Sequence, residues 1–181
     1  LDAALGFAPP HLSIYHLTIE PNTVFGKYPP PLPDHDSACD MLDLLAQTCE
    51  RHELQRYEVS AFARAGQRCV HNLNYWQFGD YLGLGAGAHS KLSYPHRVVR
   101  QVRQREPESY MERALRGQCI ASDEEVPRAQ LPFEFMLGAL RTREGFELAR
   151  FCERTGLPIS SIGPALDAAQ AHGWITHDLK R

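Results

Sequence analysis

Apolar positions along the chain follow two rhythms, near-continuous over short runs and repeating every three to four residues over longer ones. Residues 12–19, Leu-Ser-Ile-Tyr-His-Leu-Thr-Ile, are rich in β-branched and aromatic types between Pro10 and Pro21 and predict a strand. Apolar on both faces, it suits a parallel strand covered on two sides. Pro29, Pro30, Pro31 and Pro33 then forbid helix and predict a stiff extended loop, the alternative being a ligand for a proline-binding partner domain. Asp34 stands where it can cap a helix in which Ala38, Met41, Leu42, Leu45 and Cys49 recur at helical spacing through about residue 54. A second strand is predicted over residues 56–63. Strand, helix, strand in this order predicts a βαβ unit, which places ligands at the carboxyl ends of the strands.

Residues 80–89 predict a short strand entering a glycine-dense turn, and residues 91–105 an irregular segment or a hairpin. Pro107 and Gly117 bracket a helix. The acidic Ser122-Asp123-Glu124-Glu125 reads as a separator. Beyond it, Pro132 starts a helix, a second covers about 145–155 before Gly156, a third covers about 160–172 before Gly173, and Trp174-Ile175-Thr176 begins a strand. That order predicts a winged helix-turn-helix module whose wing is cut short. The expected fold class is therefore α/β, divided into residues 1–122 and 123–181.

Composition narrows the function. With 43% hydrophobic and 23% charged residues the chain is an ordinary folded one rather than a disordered one. A formal charge of −3 gives no broad positive field for a phosphate backbone. The helix at 160–172 holds no Lys or Arg, and residues 123–181 carry seven basic against nine acidic side chains, so partner docking fits this module better than DNA reading. No apolar run approaches the roughly 20 residues that cross a bilayer, and the opening residues lack the pattern of a secretory leader. Five scattered cysteines, an odd number, point to a reducing cytoplasm.

The turn Gly83-Leu84-Gly85-Ala86-Gly87-Ala88 formally fits G-x-G-x-x-A, but no helix follows to present its N-terminus to a pyrophosphate. Such glycines still admit a ligand or a packed chain close to the backbone. The cysteine gaps match no zinc or iron–sulfur pattern. The densest chemistry is residues 69–76, Cys-Val-His-Asn-Leu-Asn-Tyr-Trp. A neutral His71 suits haem iron or zinc, Asn72 can orient its ring, and Tyr75 with Trp76 offers flat apolar area for a porphyrin. The alternative is structural, with His71 and Asn72 capping a turn while Tyr75 and Trp76 fill the end of a barrel.

Four strings taken together, His11–Thr23, Tyr57–Ala63, His71–Trp76 and Asp80–Ser90, resemble the radical SAM coproporphyrinogen III oxidase-like family. The resemblance covers about residues 8–176, and its H-N-x-x-Y-W string is similar to the haem chaperone branch. It implies the C-terminal part of a partial (β/α) barrel holding a [4Fe-4S] cluster and S-adenosylmethionine, followed by a helical, winged-helix-like domain. By motif match, Tyr15, Thr18, His89 and the glycines Gly83, Gly85 and Gly87 would lie beside S-adenosylmethionine; His89 stands where the oxidase pattern has an aliphatic residue. His71 would ligate haem iron, supported by Tyr75 and Trp76. The family's C-x-x-x-C-x-x-C is absent from these residues, so the chain is expected to be a C-terminal portion. The function so implied is haem binding and transfer to acceptors such as respiratory enzymes. The alternative is oxidative decarboxylation of coproporphyrinogen III propionates by a radical mechanism. A third reading has the C-terminal helices dock a partner or a second copy through Phe133, Met136 and Leu140.

Overall fold

A computed structural model describes residues 1–176 and divides into two compact units, Leu1–Cys69 and the residues from Val70 onward. The first begins with helix α1 (Asp2–Leu5), strand β1 (His11–Ser13) and a one-turn helix α2 (Val24–Lys27). Helix α3 (His35–Arg51) follows, with strands β2 (Gln55–Arg56) and β3 (Ala61–Ala63) after it. As expected, Asp34 caps α3, its Oδ1 accepting the Ser37 amide at 2.7 Å. The helix ends earlier than residue 54. Glu53 takes a left-handed conformation (φ 63°) and the Leu54 amide donates back to Cys49 O at 3.0 Å, which closes the last turn without a glycine. Of the apolar stripe only Cys49 is buried, joining Leu5, Leu54 and Phe62 in a small core.

The sheet of this unit corrects the βαβ expectation. Its order is β1-β3-β2 and both pairings are antiparallel. The predicted 56–63 strand is broken because the Glu58 carboxylate folds back to accept the Ser60 amide and the Arg56 guanidinium donates to Val59 O, making a tight loop between β2 and β3. The predicted 12–19 strand stops at Ser13 for the same reason. β3 is three residues long, and after Ile14 donates to Ser60 O the partner chain has turned away.

The second unit opens with helix α4 (Val70–Trp76) and then forms a hairpin, β4 (His89–Tyr94) and β5 (Arg97–Arg103), around Pro95-His96. Helix α5 (Pro107–Leu115) crosses to strand β6 (Ile120–Glu125), which pairs antiparallel with β5. The hairpin reading of 91–105 holds. Two expectations do not. Residues 80–88 contribute one bridge, Tyr81 to Lys91, instead of a strand. The acidic run is not a separator but part of β6, and it passes through positions 122 and 123. Glu124 lies across from Arg100 in the register, and the exposed charges of β6 keep this edge strand solvated.

Helices α6 (Leu131–Ala139), α7 (Leu148–Thr155) and α8 (Gly163–Ala171), with one 3-10 turn at Ile159–Ser161, complete the unit. Pro132 and Gly156 start and stop helices as their types dictate. Phe135, fully buried, meets Phe78, Phe146 and Phe151 with ring centroids 5.1–5.8 Å apart. Phe133, Leu137 and Leu140 face outward on α6, while Met136 packs on the core. The strand predicted from Trp174 has no regular structure through Thr176, and any wing beyond lies outside the described residues.

Candidate functional site

His71 sits in the first turn of α4 and is exposed. Its ring meets the Tyr75 ring edge-on, centroids 4.8 Å apart at 81°, as expected of residues four apart on one helix face. The rest of α4 is held from several directions. The Tyr75 ring packs on Tyr81 at 4.5 Å. The Asn74 side chain donates to Asp80 O at 2.9 Å and fills the space where a side chain on Gly79 would be. Trp76 lies under the Arg141 guanidinium, 4.3 Å from the ring centroid, so one indole face is already covered. Gly138 of α6 meets the backbone of Tyr75 and Trp76 so closely that an added Cβ would stand 3.2 Å from Tyr75 O.

The exit of α4 is fixed by an unusual residue. Phe78 adopts φ 56°, and the Gly79 amide donates to Asn74 O at 2.7 Å, a helix-ending loop normally built on glycine. The left-handed backbone costs about 1–2 kcal/mol here, which burial of the phenyl ring in the core offsets. Lys91, only 2% exposed, pins the same point. Its Nζ donates to Phe78 O, Asp80 Oδ1 and Ser93 Oγ, each at 3.0 Å, and stands 3.9 Å from the Phe78 ring centroid. Burial lowers the Lys91 pKa, opposed by the Asp80 carboxylate. For Asp80, burial acts upward, but hydrogen bonds from Ser93 and Lys91 outweigh it and hold the carboxyl below its ordinary value. Tyr81 is fixed in turn: Arg100 Nη1 donates to its hydroxyl at 3.2 Å and Arg100 Nε to Glu134 Oε2 at 3.1 Å.

The other candidate residues are more dispersed. Tyr15 and Thr18 lie in the first unit on exposed irregular chain after β1. In the second unit His89 begins β4, exposed, and the glycine turn folds onto it. A Cβ on Gly83 would fall 2.2 Å from His89 O, so this glycine is required by the protein's own backbone. Gly85 (φ 102°) and Gly87 (φ 70°) are required by conformation, and the space beside Gly85 is open.

Residues 126–181 match the HemN C-terminal domain family. The chain is 43% identical to heme chaperone HemW of Escherichia coli over 97% of its own length and 46% of that protein. It is 40% identical to heme chaperone HemW of Haemophilus influenzae over 98% of its length and 46% of that protein. The chain is thus similar over nearly its whole length to heme chaperones HemW, and over residues 126–181 to the HemN C-terminal domain. It spans about half the length of the curated relatives it matches. The fold agrees with a solved structure, coproporphyrinogen III oxidase (HemN) from Escherichia coli, a radical SAM enzyme, at a TM-score of 0.70 and 14% identity over 99% of this chain and 45% of that one.

The radical SAM names of a Dictyostelium discoideum relative and of the solved neighbour point to S-adenosylmethionine and a [4Fe-4S] cluster in proteins of this kind. Among the described residues no group of three or more His, Cys, Asp or Glu is placed to hold a metal ion, so these residues do not fit the cluster. No described helix is long and apolar enough to cross a membrane. Tyr81, Arg100, Glu134 and the Asp80–Lys91 pair escape the sequence reading because their partners lie 11 to 34 residues away. The Asp-Tyr dipeptide in the family string was their only local trace.

Proposed function

We propose that the protein binds haem through His71 and passes it to acceptor proteins in the cytoplasm, respiratory enzymes among them. The observation that carries this reading is the exposed imidazole on a helix braced along its length, set edge-on to Tyr75. The haem chaperone names of the relatives support it. Haem brings four pyrrole nitrogens of its own, so one protein nitrogen completes a five-coordinate iron, whereas a bare zinc ion needs three or four side chains. Transfer needs holding that is firm yet reversible. A single axial ligand at the surface leaves the sixth position to the acceptor.

Within this reading Tyr75 sets the plane of the imidazole, and Trp76, covered by Arg141 and set against Gly138, anchors α4 to α6. In the second unit S-adenosylmethionine belongs beside His89, with Gly85 the turn position open to it and Gly83 and Gly87 shaping the turn. In this reading the helices after β6 form the winged-helix-like domain and what precedes them is the last portion of a (β/α) barrel. Ferric haem titrated into the full chain should give one equivalent with a ligand-shifted Soret band, lost in His71→Ala; an unchanged band in that variant overturns the assignment. Anaerobic conversion of coproporphyrinogen III to protoporphyrinogen by the same preparation would favour the decarboxylase reading instead.

A further inference from the structure

Resting on that haem reading, the structure points to a second layer of residues that governs how firmly haem is held. We propose that Glu134, Arg100 and Tyr81 are positioning residues that act on His71 through Tyr75. Each link is a contact. The Glu134 carboxylate of α6 binds the Arg100 guanidinium of β5 through Nε and Nη2. Arg100 Nη1 donates to the Tyr81 hydroxyl at 3.2 Å, the Tyr81 ring packs on Tyr75 at 4.5 Å, and Tyr75 meets the edge of His71 at 4.8 Å.

The geometry suits the task. An exposed imidazole has free choice of rotamer, and a ligand that wanders among rotamers binds a metal weakly. Outer residues that fix the ring are the usual remedy. Here Tyr75 is the only one of the set on α4 itself, and it would be free to swing with His71 if nothing stood behind it. Tyr81 stands there, and it is held at its hydroxyl by a cation that is itself held by Glu134. The Glu134 pairing raises the Arg100 pKa despite partial burial, so the guanidinium stays charged throughout the accessible pH range. Glu134 also lies within the HemN C-terminal domain match, which gives that domain a part in holding haem from the side away from the ligand.

The test follows haem release from the full chain to excess apomyoglobin, together with the ferric EPR spectrum, whose linewidth reports the spread of imidazole orientations. Tyr81→Ala is expected to release haem about tenfold faster, within the range for outer residues of metal sites, and to broaden the spectrum. Tyr81→Phe keeps the ring and loses the hydroxyl, so it and Glu134→Gln should each accelerate release by about two- to threefold, and the double variant no further than either alone, because both cut one path. Additive effects in the double variant, or wild-type release and linewidth in Tyr81→Ala, overturn the proposal. If Tyr81→Ala does not fold, the Tyr81→Phe and Glu134→Gln pair decides. Loss of binding in His71→Ala with wild-type behaviour in the Tyr81 variants removes this inference alone, whereas unchanged binding in His71→Ala removes both.

Discussion

The two units solve the same local problem with different security. Each contains a helix that ends on a left-handed residue other than glycine, Glu53 after α3 and Phe78 after α4, and each closes its last turn with the same pair of backbone hydrogen bonds. Glu53 is exposed and makes one surface ion pair to Arg64. Phe78 is buried, its ring in the core and its carbonyl on a buried lysine. The first unit has strands of two and three residues, a four-residue core and exposed Phe7, Tyr15, Val24 and Tyr28. The second has strands of six and seven residues around a continuous aromatic core. A surface histidine offered as a ligand needs the second arrangement, because α4 is too short to hold itself.

If the aromatic core is what secures α4, its centre should be the most sensitive position. Phe135→Ala is expected to cost about 3–5 kcal/mol, as large-to-small changes in closed cores do, and Phe62→Ala in the smaller core of the first unit less. Urea unfolding of both variants checks this. Equal losses would mean that the two cores are equally closed.

The Asp80–Lys91 clamp comes next. Asp80→Asn leaves a buried ammonium with a weaker partner and should cost about 2–3 kcal/mol; Lys91→Met should cost less, because Ser93 still satisfies Asp80 and only the Phe78 carbonyl is stranded. The folded pKa of Asp80 is depressed, so its contribution is complete above the unfolded value of about 3.9 and is lost as pH falls through the folded value. Lys91 acts oppositely: burial lowers its pKa, so its charge weighs against folding at neutral pH and the cost eases only as pH rises through that lowered value toward the unfolded one. Urea midpoints followed from pH 7 downward should therefore fall less steeply below about pH 4 in Asp80→Asn than in the parent. Parallel profiles would show that the carboxylate does not carry the clamp.

Much of this was legible in the chain. Helix starts at Asp34, Pro107 and Pro132 and stops at Gly117, Gly156 and Gly173 follow from residue type, because a cap oxygen, a fixed φ and a missing Cβ act locally. His71, Tyr75 and Trp76 were readable as one dense stretch because they are close in sequence; helical spacing then sets His71 against Tyr75, while Trp76 turns to Arg141. What the chain hid depends on distant partners. The antiparallel order β1-β3-β2 is decided by which short strand finds a free edge, and an apolar run such as 12–19 carries no sign of direction. The acidic run became a strand because the backbone of β5 offered it an edge to pair with. Glu53 and Phe78 stop helices with no glycine to announce them, and at Phe78 tertiary burial overrides a local backbone preference.

That contrast gives the smallest expected effect and the sharpest comparison. Glu53→Gly relieves the left-handed strain at an exposed position and gives up only a surface ion pair, so it should stabilise the first unit by about 0.5 kcal/mol once the greater freedom of the unfolded glycine is set against the gain. Phe78→Gly relieves the same strain but removes a ring from the core and the surface beneath the Lys91 ammonium, so it should destabilise the second unit despite the better backbone. Opposite signs in the two urea midpoints are the expected result. A gain at both positions would mean that Phe78 is held by its backbone bonds alone, and that the ring contributes nothing to keeping α4, and His71 with it, in place.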